Sequence, residues 1–170
     1  MILSLIITLS CAATVAMQPP AQVAPRPVTS EAIVAAIGND ADARRVIQLV
    51  LGDLFAQRSG REFVLASQIP ALWFPTLSRV EIVRLADADV GRHLAACGRY
   101  SVVSDVKRSD NVVSLWVSER CGCSGREYRA AFEDGAWHLG PPRAATGGGW
   151  TLGIACGCAG APPECPCLGR

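Results

Sequence analysis

"RYSVVSDVKRSDNVVSLWVSERCGCSGREYRAAFEDGAWHLG", residues 99–140, is a series of β-branched and aromatic runs cut by turn chemistry. Asp110-Asn111, Ser124-Gly125 and Asp134-Gly135 supply the turns, because Asn, Asp and Gly tolerate the backbone angles that tight hairpins demand. Connections this short make consecutive strands antiparallel. The stretch therefore predicts a meander of about four strands.

Working back toward the N-terminus, the pattern changes from alternation to helical spacing. "TSEAIVAAIG" has Ser30 as candidate N-cap, Glu31 in the first turn and Gly38 as the stop. A second helix begins at Asp40, where Val46, Leu49, Val50, Leu54 and Phe55 recur every three or four residues, and Gly60 reads as its end. "EFVLAS" and "RVEIVRLAD" read as short strands, the second with Val80, Ile82 and Arg84 on one side. Between them Pro70 and Pro75 break "QIPALWFP". "DADVGRHLAACG" predicts a short helix that starts near Asp87 or Asp89 and ends before Gly98.

The expected fold is α+β, with N-terminal helices packed on a curved antiparallel meander and a cysteine-rich C-terminal tail. This element order, over roughly residues 30–141, resembles the nuclear-transport-factor-2-like roll, in which helices cover the concave face of a bent sheet. The resemblance implies a possible pocket and names no residue. Members of that fold include enzymes, binding modules and assembly domains.

The chain has 170 residues, enough for one domain, and half of them are hydrophobic. A net charge of +1 gives no support for a nucleic-acid partner. Residues 1–16, apolar from Ile2 to Leu9 and ending in Thr14-Val15-Ala16, read as a secretory signal peptide. Lipidation at Cys11 is the alternative. Residues 17–29 form a proline-rich linker, 30–141 the α+β domain, and 142–170 a Gly-, Cys- and Pro-rich tail. The expected location is the periplasm or the outside of the cell, with no transmembrane span in the mature chain.

Of eight cysteines, six stand in three pairs with one residue between members: Cys121/Cys123, Cys156/Cys158 and Cys165/Cys167. An oxidising compartment makes disulfides between pairs the leading expectation. A soft-metal-binding or thiol-redox protein acting through these pairs is the alternative, because their thiolates suit Cu(I) or Zn. The usual structural zinc spacing has two or more residues between ligands, a pattern these pairs do not match. Cys97 is expected either as a buried thiol or bonded to the meander.

No catalytic motif is present. Cys97 with His138 as base is the one nucleophile pairing the residue types permit, and nothing around His93 or His138 marks such a site. Trp73, Phe74, Trp116, Trp137 and Trp150 are expected to pack, either as core or around a cavity that Asp53, Arg84, Asp105 and Glu127 could line. The expected function is a non-catalytic binding or structural protein, with an unknown small molecule or an envelope protein as its partner.

Overall fold

A computed structural model of the protein describes residues 27–66, 68–120 and 125–144. The expected leader, nearly all of the proline-rich linker and most of the tail lie outside the described residues.

The first helix, α1 (Ser30–Ile37), is capped by Thr29 rather than Ser30. Thr29 keeps an extended backbone, and its Oγ1 accepts from the Ala32 N–H at 3.1 Å. Gly38 ends α1 in the left-handed region at φ 109, as its residue type suggests. The Arg108 guanidinium donates to the Ala36 carbonyl at 2.9 Å and supplies the cation that the last turn of α1 lacks. The second helix, α2 (Asp40–Phe55), is capped by Asn39, whose Oδ1 accepts from the Asp42 N–H at 2.8 Å. It stops at Phe55, short of the expected end. Gly60, with φ 90, instead opens the first strand.

The strands are β1 (Gly60–Leu65), β2 (Val80–Leu85), β3 (Tyr100–Ser109), β4 (Val112–Arg120), β5 (Gly125–Glu133), β6 (Ala136–Leu139) and β7 (Arg143–Ala144). A 3-10 turn, Ala71–Trp73, lies between β1 and β2, and the short α3 (Val90–Ala95) precedes β3. One curved sheet has the order β2-β1-β3-β4-β5-β6, with β7 beside β5.

The run from β3 to β6 is antiparallel throughout. Asp134 and Gly135 both take positive φ, 50 and 77, as the hairpin between β5 and β6 requires. The expectation of a wholly antiparallel sheet is corrected at the other end: β1 is parallel to β2 and to β3. Residues 66–79 are a crossover long enough to bring the chain back to the starting end, which a tight hairpin is not. The joint between β1 and β3 is only two rungs long, Val64↔Ser101 and Leu65↔Val102. Where β1 leaves, the Val28 N–H donates to the Val103 carbonyl at 2.9 Å, so the entering chain continues the ladder.

One face of the sheet shares a core with α1 and α2. Val113, Leu115, Val117, Tyr128, Ala130 and Trp137 meet Ile33, Val46, Ile47, Val50, Leu51 and Phe55 there. Full burial of such a side chain is worth about 1.5–3 kcal/mol, so tertiary packing rather than helix propensity dominates the stability of α2. The opposite face has a smaller cluster, Leu85, Leu94, Tyr100 and Val102, beneath α3.

Candidate functional site

A groove of about 460 Å³ opens between α2 and the chain that leaves β6. Gln48, Leu49, Gly52 and Asp53 form the helix side, and Leu139, Gly140, Pro141 and Pro142 form the other. Helical spacing places the first set on one exposed flank of α2, while the buried flank holds Val46, Val50 and Leu54 in the core. Gly52 lies inside the helix, where glycine costs about 1 kcal/mol relative to alanine. A Cβ there would meet nothing within 4 Å, so packing does not exclude a side chain.

The opposite wall follows from β-sheet register. Ala130 pairs with Leu139, and the Gly140 N–H donates to the Arg129 carbonyl at 2.9 Å. Pro141 and Pro142 then interrupt the ladder before Arg143–Ala144 pairs again with β5. Tyr128 stands behind this interruption, with its side chain on the helix-facing side and only 1% exposed. Its hydroxyl is buried and makes no hydrogen bond of ordinary geometry, although Asp53 and Arg126 both lie within reach of it. Burial pushes its pKa up, the nearby Asp53 carboxylate adds to the rise, and Arg126 opposes it. Asp53 is exposed and has no ion pair among the described residues.

Of the four charged residues expected around a cavity, only Asp53 is placed on this groove. Arg84 lies on the edge strand β2, where its guanidinium donates to the Ala66 carbonyl at 3.2 Å and sits 6.0 Å from the Phe74 ring. Asp105 occupies the irregularity in β3, at φ 51. Glu127 accepts from Arg129 at 3.3 Å. The four residues therefore do not share one cavity.

The aromatic residues divide similarly. Trp73 and Trp137 are core, and Phe74 packs against that core. Trp116 lies across Gly125, where a Cβ would stand 3.0 Å from the indole ring. Trp150 is outside the described residues. His93 bonds through Nε2 to the Arg99 carbonyl at 2.9 Å, and its ring centroid lies 4.3 Å from that of Phe63. His138 is exposed on β6 opposite Ala131. His138 is opposite Ala131, Ala131 opposite Val112 and Val112 opposite Ser109, so His138 stands level with the far end of β3 from Cys97, about 30 Å away along the strand at ordinary rise. The structure does not bring this pair together.

Cys97 follows α3 with φ 57, a left-handed backbone uncommon outside glycine, and it is not without a partner. Cys121, Cys123, Cys156, Cys158, Cys165 and Cys167 all lie outside the described residues. Among the described residues no cluster of three or more His, Cys, Asp or Glu could hold a metal ion. None of their helices is long and apolar enough to cross a membrane.

A second charged cluster is structural. Arg58, just past α2, pairs with Glu119 of β4 and at 3.1 Å with Glu62 of β1. Burial works against the charge on Arg58, but Glu119 and Glu62 outweigh it and hold its pKa above the ordinary arginine value.

The sequence reading missed Tyr128, Gly52 and the Gly140-Pro141-Pro142 wall as parts of one site. The available signals were a glycine inside an amphipathic helix and a proline pair directly after the last long hairpin. No protein-family model, curated protein or solved structure matches the chain.

Proposed function

We propose that this protein is an exported, disulfide-braced binding domain of roll type, non-catalytic, whose ligand seat is the groove between α2 and the chain after β6. The carrying observation is the exposed Asp53 carboxylate set in a groove walled by Leu49, Leu139, Pro141 and Pro142. Apolar walls around a few polar groups are the usual make-up of a small-molecule site.

Tyr100 pairs with Arg120, so Cys97 lies three residues before one end of that rung and Cys121-Gly122-Cys123 directly follows the other. We expect Cys97 to be cross-linked to this pair. The test is intact mass of the exported protein before and after reduction and thiol alkylation, followed by peptide mapping. A reducible link between the Cys97 peptide and the Cys121/Cys123 peptide supports the reading. Fully alkylated thiols without reductant, together with bound Cu(I) or Zn, would replace it with soft-metal binding through the paired cysteines.

A further inference from the structure

We infer that the groove binds a primary alkylammonium group, carried either by a free amine or by a lysine side chain. This rests on the reading of the groove as the ligand seat and adds the chemistry of what it takes.

The polar atoms of the groove are mostly acceptors. Pro141 and Pro142 have no N–H, and the Gly140 N–H is already bonded to Arg129. The carbonyls of that wall and the Asp53 carboxylate can only accept. Gln48 is the one lining side chain with donors to offer. A carboxylate without an ion pair, facing a wall short of donors, fits a ligand that brings donors and positive charge. An ammonium group has three donors and no acceptor. An anion would meet Asp53 with few donors to compensate.

Tyr128 lies behind this lining, buried, with Asp53 and Arg126 both acting on its hydroxyl at hydrogen-bonding range. It can donate to the Asp53 carboxylate and so steady the group that the cation would meet. Arg126 is the competing cation, because it too acts on Tyr128, yet among the described residues no ion pair joins it to Asp53. Leu49, Leu139 and the proline rings provide apolar surface for an aliphatic stem, and Gly52 leaves the helix side open. A volume of about 460 Å³ is within the range of small-molecule sites and leaves ample room for an aliphatic stem.

The experiment is an amide-shift titration of the full chain at neutral pH with n-butylamine, n-butanol and butyrate, plus Nα-acetyl-lysine amide. Saturating shifts at Gly52, Asp53 and Gly140 are expected with the amine and not with butyrate. Asp53→Asn should weaken amine binding about tenfold or more, the size expected for losing a charged hydrogen bond. Gly52→Leu, which fills open space, should abolish it while leaving the rest of the spectrum in place. Binding of the lysine derivative at least as tightly as butylamine assigns the group to a peptide, and its exclusion assigns it to a free amine. Equal affinity for butanol and butylamine, unchanged in Asp53→Asn, would overturn the ammonium inference while leaving the groove as a ligand seat. No shift with any probe would overturn both.

Discussion

At the residue scale, Tyr128 combines full burial with a hydroxyl that makes no hydrogen bond of ordinary geometry, and its removal separates the two. Tyr128→Phe keeps the ring and deletes the hydroxyl, so the urea midpoint should hold or rise, by up to about 1 kcal/mol. A clear loss of stability would show that the hydroxyl has a partner in solution. Titration gives an independent check. Tyr100 and Tyr128 both have folded pKa values raised above the ordinary tyrosine value, with burial the leading cause. Their neutral forms are therefore favoured by folding. Stability from this source is fully present below about pH 10 and falls as pH rises toward the folded values. Denaturant midpoints measured across that range should show a shallower fall in Tyr128→Phe than in the parent. The alternation in "REYRAAF" places Tyr128 on the buried side from sequence alone. What alternation cannot show is whether a neighbour reaches its hydroxyl, because that depends on how α2 crosses the sheet.

At the scale of elements, the end of α2 is tied to two strands through one guanidinium. Arg58 meets Glu62 on β1 and Glu119 on β4, and all three side chains are largely but not fully buried. Arg58→Ala should cost about 1–3 kcal/mol in a denaturant melt, between the values for exposed and fully buried pairs. Because some solvent reaches the pair, raising salt should narrow the gap between parent and variant. A difference below a few tenths of a kcal/mol would mean that the pair is screened away. Local chemistry made several boundaries legible: Gly38 stops α1, Asp134-Gly135 turns β5 into β6, and Asp40 opens α2. Thr29 and Ser30 both fit an N-cap, and geometry alone chose between them. Gly60 fits a helix stop by residue type, yet a positive-φ glycine serves equally well at a strand start, which is where it stands. The parallel pairs were invisible because nothing within β1 or β2 encodes which neighbour it takes. That choice is made by the crossover of residues 66–79 and by α3.

For the whole molecule, the two faces of the sheet are unequally supported. The large core unites α1, α2 and the meander, whereas α3 holds only a small cluster over the β1 and β3 corner. Fewer buried contacts mean a smaller free energy of local opening. Hydrogen exchange should therefore find the amides of α3 opening well below the global unfolding cost. Val113, Leu115 and Val117 in β4 should exchange only through global unfolding. Equal protection in both regions would mean that the corner under α3 unfolds with the main core as one unit. Asp53 shows how little of the groove the sequence exposed: its residue type was noticed, but its partners across the groove come from elements about 75–90 residues away. The pairing of α2 with the exit from β6 is a property of the sheet's curvature and order, not of either segment.

The bond from the Val28 N–H to the Val103 carbonyl gives the fold an unusual point of mechanical entry. Strand β3 is interior to the sheet, flanked by β1 and β4. Tension applied through the chain upstream of Pro27 would thus reach β3 through one backbone hydrogen bond and α1 through the chain itself. The load would arrive on the large core, to which Val28 and Ile33 belong, rather than on β2 at the rim.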